Sequence, residues 1–315
     1  MLNNIIIQDS QNYQQWLANA IKLLSEHHLN DPYADPKVDA NVLLEFVTKK
    51  TRSYILAFPE TLLKQNEIEQ LSEYVLRRTK GEPIAYILGE KAFWNLILEV
   101  SKDTLIPRAD TEILVEKAID IIKLTLKQPH FLNGKKKEFN ILDLGTGTGA
   151  IALALAYELF PLFDKCGIKL NIIGVDFLES AVSLAKRNAE RNQLRDKVQF
   201  IQSDWFKQLP KIKFDLIVSN PPYIDEEDEN LTQGDVIFEP KTALIANEQG
   251  YADLRLIIEQ SPHYLQQKGW LILEHGWQQG EKVRSIFKEF LWQKVETAKD
   301  YNNNDRITLG QINNN

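Results

Sequence analysis

Ile141-Leu142-Asp143-Leu144-Gly145-Thr146-Gly147-Thr148-Gly149 starts as a short, mostly apolar run and ends with a glycine at every second position. The first part reads as a buried strand and the second as a turn. The run from Ala150 to Leu159 that follows reads as a helix. Strand, glycine turn and helix make the opening half of a parallel crossover unit. Outward from it the alternation continues. Strands are expected near 140–144, 170–175, 197–202, 214–219, 269–274, 292–298 and 305–310. Helices are expected near 149–160, 177–192, 251–267 and 277–290. This order predicts an α/β fold on a seven-stranded, mostly parallel sheet. The sheet is expected to end at Leu309, with Gln311 to Asn315 as a disordered polar tail.

Upstream the period changes. Residues 9–80 read as helical: Tyr13, Trp16, Leu17, Ala20, Ile21 and Leu24 share one face, as do Ala40, Leu43, Leu44 and Val47, and Ile68, Leu71 and Val75 mark a further helix. Asp35-Pro36 reads as an N-cap followed by proline at the first helical position. Gly81 to Gly89 reads as a hinge into a β-hairpin ending near Val100. Asp110 is placed to cap a helix from Thr111 to about Leu126. The expected divisions are a helical domain over 1–81, a linker and hairpin over 82–104, and an α/β domain over 105–315.

The strand at Phe214 to Ser219 runs into Asn220-Pro221-Pro222-Tyr223. The two prolines lack N–H groups and fix φ, so the strand must stop there, and the second holds the first extended. The result is a stiff corner at the C-terminal end of a strand, where open α/β sheets bind ligands. Such a corner can hold a planar amino group by hydrogen bonds to the Asn220 carboxamide oxygen and the Pro221 carbonyl, with Tyr223 against its face. A bland reading, in which Pro-Pro only ends a strand, competes with this one.

The glycines at 145, 147 and 149 allow close backbone approach to a ligand at a helix N-terminus, which favours an anion. Nicotinamide and flavin enzymes use similar turns. Here the spacing lacks the later helix-packing glycine of the dinucleotide fingerprint, so a single carboxylate suffices as the anion, with no pyrophosphate to cradle. Asp176 ends the second strand, where an acid can accept from both ribose hydroxyls. The connector from Phe160 to Leu170 is expected as an extended loop. Asp204 could accept from an adenine amino group and Trp205 could stack on the ring.

Composition narrows the classes. The 315 residues suggest about two domains, and 43% hydrophobic with 26% charged residues fits an ordinary globular protein. The net charge of -7 leaves no basic footprint for an extended duplex. Lys135-Lys136-Lys137 reads as a solvated loop. No apolar run reaches membrane-span length, and Ile5-Ile6-Ile7 has no cationic region before it, so neither a membrane anchor nor a secretory signal is expected. Cys166 is the only cysteine, and the five histidines, including adjacent His27 and His28, form no spaced ligand pair. No metal is expected, and a reducing cytoplasmic setting is.

Gly81 to Gly89, Leu105 to Glu112, the glycine turn, Asn220 to Tyr223, and Gln233-Gly234-Asp235-Val236-Ile237-Phe238-Glu239-Pro240 together resemble the HemK-type protein-(glutamine-N5) methyltransferases. Ala243-Leu244, Gly250, Glu274-His275-Gly276 and Asp305-Arg306 extend the resemblance over nearly the whole chain. Asp110-Thr111-Glu112 favours the branch that methylates the Gly-Gly-Gln glutamine of class 1 peptide chain release factors over the branch acting on a ribosomal protein. Ala109 departs from the family's usual proline, and the connectors 127–139 and 160–170 look longer.

The resemblance implies a Rossmann-like class I methyltransferase domain that uses S-adenosylmethionine and leaves S-adenosylhomocysteine. It also implies that Gly145, Thr146, Gly147, Thr148, Gly149, Asp176, Trp205 and Asn220 contact the cofactor. Asn220 to Tyr223 should hold the glutamine, and the helical domain should help dock the release factor. An enzyme acting on adenine N6 or guanine N2 of nucleic acid is a rival with the same corner, and a non-catalytic cofactor-binding module is another.

Overall fold

A computed structural model describes residues 11–27, 34–132, 134 and 136–312. The Ile5-Ile6-Ile7 run, His28, Lys135 and the last three asparagines lie outside the described residues. The chain forms two units, Met1–Gly89 with Glu229–Phe238, and Glu90–Asp228 with Glu239–Asn315.

The first unit is helical: α1 Tyr13–His27, α2 Pro36–Thr48, α3 Arg52–Ala57, α4 Gln65–Arg78 and α5 Ile84–Leu88. The Asp35 carboxylate caps α2 by accepting from the amides of Lys37 and Val38, each at 3.0 Å. Trp16, Leu24, Leu43, Leu44, Ile68 and Leu71 fill the core. Residues expected as a hinge instead include the helical turn α5, whose Ile87 is buried in the same core and which Gly89 ends at φ 74°. Arg78 is buried and donates to Asp39 at 2.7 Å and to Asp235 at 3.3 Å, so the 229–238 segment is ion-paired to α4.

The second unit opens with a hairpin, β1 Glu90–Phe93 and β2 Leu96–Glu99, joined through Trp94, which has φ 55°. Helix α6 Glu112–Leu126 precedes the sheet. The sheet elements are β3 Glu138–Leu144, β4 Lys169–Asp176, β5 Val198–Gln202, β6 Phe214–Ser219, β7 Leu265–Glu274, β8 Gln293–Lys299 and β9 Asp305–Gln311. They lie in the order β5-β4-β3-β6-β7-β9-β8. Only β9 runs against the rest, pairing antiparallel with both β7 and β8. The intervening helices are α7 Ala150–Cys166, α8 Glu179–Arg191, α9 Ala252–Gln260 and α10 Gly280–Glu289. Strands β3, β4 and β6 are buried along nearly their full length, as near-continuous apolar runs between helix layers should be.

Several boundaries differ from expectation for identifiable reasons. Helix α7 does not stop before Pro161: the apolar stripe continues through Leu159 and Phe163, both fully buried, and carries the helix to Gly167, a left-handed cap. The expected 160–170 loop is therefore mostly helix. Burial of Phe163 against Phe139 outweighs the one hydrogen bond Pro161 cannot make. Helix α9 ends at Gln260, because Pro262 sits in a 3-10 turn and Leu265 already pairs with Phe214. Asp110 does not cap α6; its carboxylate meets Arg306 at 3.1 Å instead. Gln311 belongs to β9, and the Ile312 amide donates to the Gly269 carbonyl at 2.9 Å, so the strand outlasts Leu309. Lys136 is paired with the buried Asp215 rather than solvated.

Candidate active site

Leu144, Val175 and Ser219 stand in register across β3, β4 and β6. The residues that follow them, Gly145, Asp176 and Asn220, therefore stand side by side at the C-terminal edge of the sheet. Strand order reverses here: the chain runs β3, β4, β5 to one side and crosses to β6 on the other, and open sheets bind ligands at such a point.

The glycine turn needs its glycines. Gly145, Gly147 and Gly149 have φ of 68°, 53° and 84°, left-handed values that other residues adopt only with strain. A Cβ on Gly149 would also meet Leu153, Phe200 and Ala185 at 3.1–3.2 Å. Beside the turn, Asp143 is fully buried. Its Oδ2 accepts from Thr146 Oγ1 at 2.6 Å and the Ala152 amide at 3.2 Å, and Oδ1 has no hydrogen-bond partner. Burial pushes this carboxyl up to about 7, against those hydrogen bonds. The turn is braced from outside by buried Asn188, whose Nδ2 donates to the Thr148 carbonyl at 2.9 Å and to the Glu99 carbonyl of the hairpin at 3.0 Å.

Asp176 accepts from the Gly147 amide at 2.8 Å and the Leu178 amide at 3.0 Å, so both carboxylate oxygens hold backbone and keep a further lone pair each. Burial raises its pKa, and the amides of Leu178, Gly147 and Phe177 oppose that rise. After β5, Trp205 has φ 49° and lays its ring edge 3.6–3.8 Å from the point where a Gly145 Cβ would stand. Asp204 pairs with Lys207 at 2.7 Å.

The Asn-Pro-Pro-Tyr corner is held on both its backbone and its side chains. Ser219 Oγ donates to the Leu144 carbonyl at 2.7 Å. The amides of Tyr223 and Ile224 donate to the Leu244 carbonyl at 3.2 and 2.9 Å, and Gln279 Nε2 donates to the Tyr223 carbonyl at 3.0 Å. Gly250, at φ 85°, lies so close that a Cβ would stand 2.2 Å from that carbonyl oxygen. Asn220 Nδ2 donates to Thr111 Oγ1 at 3.2 Å and the Tyr223 hydroxyl to Glu274 Oε1 at 3.2 Å. Burial raises the Tyr223 pKa, and the Glu274 carboxylate adds to the effect.

A cavity of about 290 Å³ joins these parts. Gly145, Thr146, Gly147, Thr148, Asp176, Asp204, Trp205, Asn220 and Pro222 are in its wall, while Gly149, Pro221 and Tyr223 are not. Sequence reasoning missed Thr111, Arg108 and Phe177, which also line it. Phe177 is 68% exposed, and its one signal was an aromatic directly after Asp176. Arg108 is ion-paired with Glu239, whose carboxylate also accepts from the Ile106 amide at 2.8 Å. Both lay in segments quoted for resemblance, with nothing local to mark their pairing. Gly250 and Gln279, which clamp Tyr223, gave no local signal.

The wall suits S-adenosylmethionine. The glycine turn at the N-terminus of α7 favours a carboxylate, Asp176 keeps a lone pair on each oxygen for ribose hydroxyls, and Trp205 brings an aromatic ring to the wall. Among the described residues no group of three or more His, Cys, Asp or Glu is arranged to hold a metal, and no helix is long and apolar enough to cross a membrane.

Comparison with known proteins gives the family. Residues 135–310 match a methyltransferase domain model and residues 15–89 a PrmC N-terminal domain model. The release factor glutamine methyltransferase of Pasteurella multocida is 59% identical over 95% of this chain and 98% of that protein. The one from Haemophilus influenzae is 58% identical over 95% and 98%, and the one from Escherichia coli is 49% identical over 95% and 98%. Among solved structures, the N-terminal domain of human METTL16 in complex with SAH superposes with a TM-score of 0.51 at 16% identity, covering 91% of this chain and 99% of that one. That likeness speaks to the fold alone. With a full-length match at this identity, and with a glycine turn and a proline corner opening on one cavity, the chain belongs to the release factor glutamine methyltransferases.

Proposed function

We infer that this enzyme transfers the methyl group of S-adenosylmethionine to the side-chain amide nitrogen of a glutamine in peptide chain release factors, the one in their Gly-Gly-Gln motif, and so supports translation termination. The observation that carries the reading is the single cavity wall shared by the glycine turn and the Asn220 corner. Gly145 to Thr148, Asp176 and Trp205 would hold the cofactor, with Asp204 and Phe177 toward its adenine. S-adenosylmethionine, when bound, supplies an electrophilic methyl on a sulfonium, and S-adenosylhomocysteine is the product that leaves.

An amide nitrogen is a poor nucleophile because its lone pair is delocalised into the carbonyl. The chain's task is to place that nitrogen and to favour its pyramidal form. Asn220 has its Nδ2 committed to Thr111, which leaves the carboxamide oxygen as an acceptor for one N–H of the substrate amide. The nearby amides of Tyr223 and Ile224 are committed to the Leu244 carbonyl, and the Pro221 carbonyl accepts the other N–H. As the nitrogen becomes cationic these two oxygens stabilise the growing charge, usually a large contribution. Tyr223, Pro222 and the cavity wall exclude water. No residue is needed as a strong base if the proton leaves after transfer.

The helical unit would help dock the release factor, a protein substrate suited to a net charge of -7. We assign no DNA substrate, no metal and a cytoplasmic site of action. The test is mass spectrometry of purified release factor after incubation with the enzyme and S-adenosylmethionine. One added methyl on the Gly-Gly-Gln glutamine is the expected result, and an unmodified glutamine would overturn it.

A further inference from the structure

Glu274 is the last residue of β7, is 1% exposed, and is absent from the cavity wall. Its Oε1 accepts from the Tyr223 hydroxyl at 3.2 Å, and its Oε2 is buried with no hydrogen-bond partner. Thr111 interacts with the same carboxylate. Thr111 Oγ1 in turn accepts from Asn220 Nδ2 at 3.2 Å. Both polar side chains of the corner are therefore anchored on groups around one buried acid.

The polarity of this cluster follows from proton counting. A carboxylate only accepts, and a hydroxyl has one proton to give. With Thr111 Oγ1 receiving an Asn220 N–H, its own proton is left for the acid beside it. We propose that Glu274 is a positioning residue for methyl transfer: through Thr111 and Tyr223 it fixes the donor and acceptor sense of the corner, so that Asn220 turns its carboxamide oxygen, not its NH2, toward the acceptor amide. This deepens the function proposed above and rests on Asn220 holding the acceptor nitrogen. A neutral amide at position 274 can donate to Thr111, whose proton then turns to the Asn220 oxygen. That oxygen is lost to the substrate, or the carboxamide flips and opposes NH2 to NH2.

The groups facing Glu274 are Tyr223 from the corner, Thr111 and Asp110 from the turn before α6, and Arg306 from β9. Burial raises its carboxyl to about 7, while Thr111, Arg306 and Tyr223 pull it down and Asp110 pushes it up. The carboxylate is the working form, so kcat should rise with pH through about 7.

Steady-state kinetics of the full chain with release factor and S-adenosylmethionine, at several pH values, test this on Glu274→Gln, Thr111→Val and Thr111→Ser. Glu274→Gln and Thr111→Val should each lose about 100-fold in kcat, the order seen when a reacting group is misplaced. In Glu274→Gln, a change outside the cavity wall, the KM for S-adenosylmethionine should stay within about twofold, because uniform cofactor binding is untouched. Thr111→Ser, which keeps the hydroxyl, should recover to within about threefold of wild type, and the rise through neutral pH should vanish in Glu274→Gln. A Glu274→Gln enzyme with wild-type kcat and an unchanged pH limb would overturn the proposal. So would a Thr111→Ser enzyme as impaired as Thr111→Val, a comparison that stands even if Glu274→Gln does not fold. Wild-type enzyme that transfers no methyl to release factor overturns the substrate reading itself, an outcome settled before any variant is made.

Discussion

Gly250→Ala offers a direct probe of how rigidly the corner must be held. A Cβ at this position would stand 2.2 Å from the Tyr223 carbonyl oxygen and 2.9 Å from its carbon, whereas ordinary contact begins at 3.4 Å. Relieving the clash takes about 1 Å of movement, shared between the Gly250 backbone and the Tyr223 peptide. The Gly250 side is also constrained, since φ is 85° and its amide donates to the Ala246 carbonyl at 3.1 Å. The Tyr223 side gives instead, and the Gln279 hydrogen bond to that carbonyl at 3.0 Å is strained with it.

Two magnitudes follow. Alanine in the left-handed region costs about 1–2 kcal/mol, which lowers Tm by roughly 2–8 °C for a unit of this size. A shift of this order at Tyr223, three residues from Asn220, should cost about 100-fold in kcat. The glycine turn is untouched, so cofactor affinity stays within about threefold. Release factor methylation, calorimetric titration of S-adenosylmethionine and thermal unfolding measure the three quantities. A Gly250→Ala enzyme that keeps full kcat, whatever its Tm, would refute the idea that this carbonyl locates the corner.

Asn220→Ala should abolish measurable turnover while largely sparing calorimetric binding of S-adenosylmethionine; near-wild-type turnover would contradict the assignment of its oxygen. Asp143, buried and raised to about 7 from an ordinary 3.8, holds its proton more tightly folded than unfolded. Its stabilising contribution is therefore full below about pH 4 and lost progressively as pH rises toward 7. Asp143→Asn should remove that slope, so that Tm relative to wild type climbs between those values; a constant difference across them would show that Asp143 does not titrate there. Arg78→Ala leaves Asp39 and Asp235 without their buried guanidinium, and should destabilise the helical unit by about 3–5 kcal/mol. Limited proteolysis should then cut within 229–238 faster than in wild type; unchanged cleavage would mean that this ion pair does not hold the segment.

What could be read from residue order alone was whatever is enforced locally. A missing amide proton at Pro221 and Pro222, or a left-handed φ at Gly145, Gly147 and Gly149, constrains the chain wherever it folds. Residues of both motifs line the one cavity, and the alternation of strand and helix gave the sheet. Errors arose where a distant partner outbid a local preference. Pro161 suggested a stop, yet burial of Phe163 carried the helix on. Asp110 had the right position for a cap, but the mostly buried Arg306 took its carboxylate. The roles of Thr111, Gly250, Gln279 and Glu274 could not be read locally, because each acts by touching a residue between 27 and 163 positions away in the chain.

The distribution of these contacts bears on the chemistry. Under the mechanism proposed above, methylating an amide requires little of acid or base and much of two oxygens that must not move as charge develops before them. A corner stiffened only by its prolines would be rigid within itself but free to rock on the strand that carries it. Here that freedom is removed from four directions: Ser219 ties the strand end to β3, Leu244 receives two amides, Gln279 and Gly250 enclose the Tyr223 carbonyl, and Thr111 with Glu274 holds the side chains. Most of those contacts lie outside the cavity wall. Loss of one should therefore lower kcat with little change in cofactor affinity, whereas damage to Gly145, Gly147 or Asp176 should weaken cofactor binding first. Finding the two parameters moving together in a corner variant would mean that the corner and the glycine turn relax as one body, and that preorganisation is a property of the whole sheet end.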